Sequence, residues 1–230
     1  ASILTGKYPA NIGLTNFIGG STKGILFDAP FIDHLPTSEL SLANTLNDNG
    51  YATWHVGKWH LGSRPYYPEN HGFEVNIGGC HWGHPKNGYF SPWGIENLDD
   101  GSEGEYLTDK LTDEAIRLIE NNHEKPFFLN LWYYSVHTPI QAKTDKIKKY
   151  ELKSKELGLD KKQALSEGEF FPCEHKKNRK VTRRVVQSEP VYAAMIESLD
   201  ENVGRLLKAI EEKGEDDNTI IIFTSDNGGL

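Results

Sequence analysis

Cysteine is scarce in this sequence: Cys80 and Cys173 are the only two, and they lie far apart. Two cysteines are too few for a disulfide scaffold and say nothing about the redox compartment. Long apolar runs are also lacking, since none approaches the ~20 residues of a membrane-spanning helix, and no membrane span is expected. Basic residues are in the minority, with 25 Lys and Arg against 33 Asp and Glu, and the formal net charge of −8 argues against nucleic acid as a partner.

The sequence does have a globular composition and a repeated helix–strand pattern. Aromatic residues make up 11% and charged residues 25% of the 230 residues, a length that can bury a sizeable core. Each predicted helix is followed by a predicted strand: 37–50 by 51–56, 105–122 by 125–136, and 189–214 by 218–225. The apolar runs of the last two strands predict that both are buried. This order predicts an α/β fold with a mostly parallel central sheet flanked by helices.

Polar residues capable of catalysis follow each predicted strand: GKWH at 57–60, SVHTP at 135–139 and SDNGG at 225–229. An ordinary turn would explain any one of them alone. In open parallel sheets, however, ligands bind beyond the carboxyl ends of the strands. The coincidence of three such endings favours a composite active site at that edge of the sheet.

Five residues in these endings are the candidate site residues. On extended backbone Lys58 and His60 would point the same way and offer a cation and a titratable base to one volume, with a solvated loop as the alternative. His137 could act as a proton donor or an anion ligand, or could merely end its strand. Asp226 and Asn227 pair a carboxylate with an amide oxygen, which suits calcium or magnesium. DNG is also a favourite turn sequence, and the further carboxylates that an ion needs cannot be identified from spacing.

A long irregular stretch, residues 63–104, is rich in Gly, Pro, His and aromatic residues. Such a composition is typical of surface loops near a pocket mouth. Its C-H-x-x-H motif, formed by Cys80, His81 and His84, superficially suggests zinc. No second ligand pair at metal spacing accompanies the motif, so we favour loop residues that contact substrate.

A second irregular stretch, residues 143–184, holds twice as many Lys and Arg as Asp and Glu. We interpret it as a charged insertion at about 143–188, made of a solvated helix and loop. Its basic segment, KKNRKVTRR at 176–184, could attract a polyanion, although most such clusters are solvated surface.

Several motifs resemble those of the sulfatase family. GYATWHVGKWH at 50–60 matches the second sulfatase signature: Gly, aromatic, any residue, Ser or Thr, two residues, small apolar, Gly-Lys, aromatic, His. ASILTGKYP at 1–9 matches the tail of the first signature, C-x-P-S-R followed by two residues, two apolar residues and T-G. HTP at 137–139 and FTSDNGG at 223–229 follow in the family's order. The resemblance runs from Ala1 to Leu230 and looks closest to the bacterial arylsulfatase-like enzymes that act on sulfated glycans.

The resemblance implies an alkaline phosphatase-like fold and hydrolysis of a sulfate ester by a formylglycine hydrate beside a calcium ion. It implies that Lys58 contacts the sulfate and formylglycine oxygens, and that His60 orients the hydrate and later helps to eliminate sulfate. His137 would contact the sulfate and assist the leaving oxygen. Asp226 and Asn227 would be two of the calcium ligands. The substrate would be a sulfated small molecule or glycan, and the location periplasmic or secreted.

The chain departs from the family pattern at its nucleophile. The cysteine and arginine of the first signature are missing, and neither Cys80 nor Cys173 lies in that context. We therefore expect an internal fragment of a sulfatase catalytic domain, inactive by itself, whose formylglycine would come from a cysteine upstream of residue 1. Two other functions stay open. One is a phosphonate or phosphodiester hydrolase of the same superfamily, and the other is a non-catalytic protein that binds sulfated glycans through the same anion pocket and the basic insertion.

Overall fold

A computed structural model describes residues 1–20, 29–122 and 124–226. The α-helices are α1 (Ser2–Thr5), α2 (Pro9–Ile12), α3 (Leu42–Asp48), α4 (Leu107–Asn121), α5 (Thr144–Glu156) and α6 (Pro190–Glu212). The strands are β1 (Ala52–Gly57), β2 (Val75–Ile77), β3 (Phe127–Trp132), β4 (Leu165–Phe170) and β5 (Lys180–Arg184). Within the described ranges, no helix is both long and apolar enough to cross a membrane.

A parallel sheet in the order β2-β1-β3 lies at the centre of the fold. Trp54 on β1 pairs with Val75 on one side and with Leu129 on the other, so β1 is the middle strand. Its six residues are all buried, in agreement with a strand covered on both faces. The predicted α/β class with a parallel sheet flanked by helices is confirmed.

Helix α3 begins later than its sequence pattern predicts. Ser41 caps it, because the Ser41 hydroxyl accepts the backbone N–H of Asn44 (3.0 Å) while the Asn44 side chain accepts the N–H of Ser41 (3.1 Å). Leu40, which lies inside the predicted range 37–50, therefore precedes the helix and is 67% exposed, whereas Ala43 is fully buried. The helix leads directly into β1, as predicted.

Helices α4 and α6 pack against each other beside the sheet. The apolar face of α4, which lies within the predicted range 105–122, is buried through Leu107, Leu111 and Ala115. Asn202 on α6 donates to Asp109 on α4 (2.7 Å), which joins the two helices through a polar contact. Beyond the carboxyl ends of β1 and β3, His60 and Tyr134 contact the long loop of residues 63–104: the backbone N–H of His60 donates to the Cys80 carbonyl and the Tyr134 hydroxyl to the Gly78 carbonyl, both at 3.1 Å.

Two predictions about buried strands are wrong. The segment 218–225 is not a strand, and Ile220 and Ile222 are 90% and 84% exposed. A strand requires a neighbour for its backbone hydrogen bonds, and this segment pairs with no strand in the part of the chain that the structure describes. β3 forms as predicted, but it is an edge strand of the three-stranded sheet. Asn130 is its only buried residue, and the other five are partly buried.

The charged insertion forms helix α5 as predicted, but its second part is an antiparallel hairpin of β4 and β5 and not a loop. Acidic side chains of β4 face the basic side chains of β5. Lys180 pairs with Glu167 at 2.8 Å, and Arg183 pairs with Glu169. The cations of the basic segment are therefore partly neutralised within the hairpin itself.

Candidate active site

The turn after β1 depends on Gly57. This residue has a φ of 100°, and a Cβ there would lie 2.1 Å from the carbonyl oxygen of Trp132. The close approach lets the backbone N–H of Lys58 donate to that same carbonyl at 2.7 Å. The backbone of Lys58 is thereby fixed to the end of β3.

His55 supports this turn from the core. The Asn130 amide donates to Nδ1 of His55 at 2.9 Å, so Nε2 carries the proton and donates to the carbonyl of Gly57 at 3.1 Å. Burial lowers the pKa of His55 to about 3, against which its hydrogen bonds to backbone carbonyls act only weakly. His55 is therefore a neutral, fully bonded imidazole beneath the site.

The Lys58 ammonium lies close to a carboxylate. Its Nζ is 3.9 Å from Oδ2 of Asp226, and its side chain is 19% exposed while that of Asp226 is 83% exposed. Burial lowers the pKa of Lys58, and the charge of Asp226 opposes that shift. Asp226 thus acts on one partly desolvated cation.

His60 lies near Lys58, but not for the reason the sequence suggested. β1 ends at Gly57, and His60 has a φ of 53°, so the extended-backbone argument does not apply. Its backbone N–H donates to the carbonyl of Cys80 at 3.1 Å. Its Nε2 lies 3.1 Å from the carbonyl of Ile18, so Nε2 holds the proton and Nδ1 is the acceptor.

The neutral form of His60 is favoured by its surroundings. Burial is the main cause of its lowered pKa, and the positive charge of Lys58 is the second. His137 and His84 shift the pKa of His60 in the same direction. A neutral imidazole with a free acceptor nitrogen can take up a proton, as a general base must.

His137 is held by the backbone on which it lies. The hydroxyl of Tyr89 lies 2.6 Å from the carbonyl of Tyr134 and 2.9 Å from that of His137, and it ties down the turn. Nδ1 of His137 lies 2.9 Å from the Thr138 carbonyl, which can only accept, so Nδ1 holds the proton of the neutral ring. Nε2 is left to contact a ligand.

Four of the five predicted site residues lie near one another beyond the carboxyl ends of β1 and β3: Asp226 is 3.9 Å from Lys58, and Lys58 and His137 are close enough to His60 to lower its pKa. Asn227 lies outside the described residues. The catalytic roles of these residues stay predictions. Sequence patterns gave no signal for Tyr89 or for the His55–Asn130 pair, because the partners are 45 to 75 residues apart.

Metal binding has little support from the described donors. Calcium takes about six to eight oxygen ligands, and Asp226 alone supplies a carboxylate beside Lys58 within the described residues. In the same part of the chain, no three His, Cys, Asp or Glu side chains are grouped to hold a metal ion. The donors described do not form a calcium site by themselves, and C-H-x-x-H does not form a zinc site.

Both cysteines are unsuited to become the nucleophile. Cys80 is free and buried, and burial raises the pKa of its thiol. Cys173 is also free and lies in the connection between β4 and β5. Neither thiol belongs to the group of residues around Lys58.

Comparison with known proteins identifies the family. The family model for Sulfatase matches residues 1–230. The chain is 27% identical to the uncharacterized sulfatase YdeN of Escherichia coli (strain K12), over all of this chain and 38% of that protein. It is also 27% identical to an arylsulfatase of Hemicentrotus pulcherrimus, over 99% of this chain and 37% of that one. The chain therefore spans less than half the length of these curated relatives.

The fold agrees with solved sulfatase structures. The crystal structure of Ps i-CgsB in complex with k-i-k-neocarrahexaose superposes with a TM-score of 0.61 at 26% sequence identity, over 94% of this chain and 44% of that chain. The parallel sheet flanked by helices is thus of the alkaline phosphatase-like type. Because the family model matches the whole chain, from residue 1 to residue 230, the protein belongs to the sulfatase family.

Proposed function

We propose that the protein hydrolyses sulfate esters of glycans, with a formylglycine nucleophile and a calcium ion. The observation that carries the proposal is the proximity of Lys58 and His137 to His60, in a chain that the sulfatase model matches throughout. A sulfate ester is an anion that repels nucleophiles, so its site must neutralise charge while it positions the attack. The partly buried ammonium of Lys58 supplies the positive charge, and the imidazoles of His60 and His137 can position the attack.

Lys58 would bind the sulfate oxygens. Its ammonium is largely shielded from water, and a shielded charge interacts more strongly with an anion than an exposed one. Its lowered pKa reflects the cost of that shielding, which an anionic ligand would offset. The backbone bond from Lys58 to Trp132 holds the residue at the strand end before substrate arrives.

The two histidines would divide the proton transfers. His60, neutral and with Nδ1 as acceptor, suits the roles of orienting a hydrate and receiving its proton. His137, with Nε2 free, suits proton donation to the leaving oxygen when it is protonated. The two roles require opposite protonation states, and burial favours the neutral form that the role of His60 requires.

Formylglycine would supply the attacking hydroxyl, and calcium would offset negative charge beside it, with Asp226 and Asn227 as two of its ligands. Neither Cys80 nor Cys173 fits the precursor of formylglycine, and the described oxygen donors are too few for calcium. Both groups are therefore proposed from family membership alone, and we route no step through either.

A sulfated glycan is the proposed substrate because the structure of Ps i-CgsB, 26% identical, holds a neocarrahexaose. The basic segment 176–184 adds little support for a glycan-binding protein without activity. Its Lys180 and Arg183 already face Glu167 and Glu169.

The test is hydrolysis of paired aryl esters by the whole protein. We expect turnover of aryl sulfate to exceed that of the matched aryl phosphate and phosphodiester by orders of magnitude. Faster phosphodiester hydrolysis would assign the site to the other branch of the superfamily. Binding of a sulfated oligosaccharide without hydrolysis of any ester would make the protein a glycan binder.

A further inference from the structure

We infer that Gly83 and His84 are positioning residues that set the two site histidines, Gly83 by packing on His60 and His84 by stacking on His137. The inference rests on the proposed function, because it assigns His60 and His137 to the reaction. The two residues lie in the long loop of residues 63–104, and His84 was identified in the sequence only as part of C-H-x-x-H.

Gly83 leaves no room for a side chain at His60. A Cβ at Gly83 would lie 2.5 Å from Cε1, 2.7 Å from Nδ1 and 2.9 Å from Nε2 of the His60 ring. Real Cβ atoms do not approach heavy atoms this closely, so any side chain would push the ring away. Displacement would break the 3.1 Å contact of Nε2 with the Ile18 carbonyl, which sets the tautomer of His60.

The glycine at position 83 is needed for space and not for its backbone conformation. Its φ is outside the left-handed region that favours glycine. Alanine could adopt the same backbone, so an effect of Gly83→Ala would report the contact with His60. The loop cannot easily retreat, because the backbone N–H of His60 is bonded to the carbonyl of Cys80, three residues before Gly83.

His84 stacks on the second site histidine. Its ring is 13° from parallel to that of His137, with 5.8 Å between the centroids. The loop that carries His84 is anchored on both sides of the contact. Before His84, the carbonyl of Cys80 accepts the backbone N–H of His60 at 3.1 Å, and after it the hydroxyl of Tyr89 donates to the carbonyl of His137 at 2.9 Å. Such a contact limits the rotation of an otherwise exposed imidazole.

The first test compares Gly83→Ala with Gly101→Ala in the whole protein. Gly101 lies in the same loop, also outside the left-handed region, and a Cβ there would meet the Glu105 carboxylate at 2.0 Å, remote from the site. We expect Gly83→Ala to lower kcat for an aryl sulfate about 10- to 100-fold, as ~1 Å of misplacement can, and Gly101→Ala to change it less than threefold. Equal kcat values in the two variants would overturn the inference.

The second test follows the imidazoles directly by ¹⁵N NMR, which reports the tautomer of each ring. We expect the His60 signals of Gly83→Ala to shift toward the other tautomer, while those of Gly101→Ala match the parent. Unchanged His60 signals in Gly83→Ala would contradict the inference whatever the activity. A parent protein that hydrolyses no sulfate ester would refute the proposed function, and the NMR comparison would still decide the positioning of His60.

The third test separates stacking from hydrogen bonding at position 84. His84→Ala removes the ring, and His84→Phe keeps an aromatic ring without N–H groups. We expect the kcat lost in His84→Ala to be largely recovered in His84→Phe, with KM little changed in both. A His84→Phe protein as slow as His84→Ala would show that the N–H groups matter, and would overturn the positioning role of His84.

Discussion

Acid should destabilise the fold because two imidazoles are buried in their neutral form. Burial lowers the pKa of His55 to about 3 and that of His71 to about 4, whereas both titrate near 6.5 in the unfolded chain. The unfolded state therefore binds more protons below pH 6.5. The stability that these groups contribute is complete above pH 6.5 and is lost as the pH falls toward the folded-state pKa values.

The size of the effect follows from the shifts. At pH 5 each unfolded imidazole is 1.5 pH units below its pKa of about 6.5, which favours unfolding by about 2 kcal/mol per group relative to pH 7.5. Together His55 and His71 should lower the free energy of unfolding by about 4 kcal/mol over that range. Urea unfolding at pH 7.5, 6 and 5 measures this directly.

His71→Leu provides the control. Within the described residues neither ring nitrogen of His71 has a hydrogen-bond partner, and the Tyr66 carbonyl, which acts to raise its pKa, accepts the indole N–H of Trp59 at 2.8 Å. An apolar side chain of similar volume leaves no partner unpaired. The variant should lose about half of the pH dependence. The same dependence in the parent and in His71→Leu would refute the reasoning.

The site and its supports give three more predictions. His137→Ala should lower kcat/KM on the order of 10²–10⁴-fold, and less for nitrophenyl sulfate than for a sugar sulfate; equal losses for both substrates would count against a leaving-group role. Tyr89→Phe removes the donor to the His137 carbonyl, whereas the Tyr134 carbonyl keeps the backbone N–H of His137. Urea unfolding should therefore show a loss of about 1–3 kcal/mol, and kcat should fall; a wild-type kcat would show that Tyr89 does not support the site. Asp226→Ala should abolish metal content and activity in the whole protein, as measured by metal analysis and by an activity titration with added calcium. Full calcium occupancy and normal turnover in this variant would show that SDNGG is only a turn and not a calcium site.

Local patterns in the sequence predicted much of the scaffold. Apolar spacing located α4, and the strand predicted at 51–56 forms as β1, although the sequence did not predict its place in the middle of the sheet. The strand predicted over 218–225 failed because strand formation needs a partner that a local pattern does not contain. The hairpin of β4 and β5 was missed because its strands are charged and mostly exposed.

The candidate site was predicted by its residues but not by its geometry. Lys58 and His60 lie near each other, but through a turn in which His60 has a left-handed backbone and not along an extended strand, and their roles stay predictions. The contact of Gly83 with His60 and that of His84 with His137 join different loops. Such contacts depend on the tertiary fold, and no spacing pattern along the sequence predicts them.

Hydrolysis of an aryl sulfate by Lys58→Ala tests the central claim most directly. Lys58 is the cation around which His60 and Asp226 are arranged, and removal of one such preorganised group costs about 3–4 kcal/mol of transition-state stabilisation. Lys208→Ala, on the exposed face of α6, is the control. We predict that kcat/KM falls several hundred-fold in Lys58→Ala and stays at the parent value in Lys208→Ala, whereas a Lys58→Ala enzyme within threefold of the parent would contradict the assignment of this site.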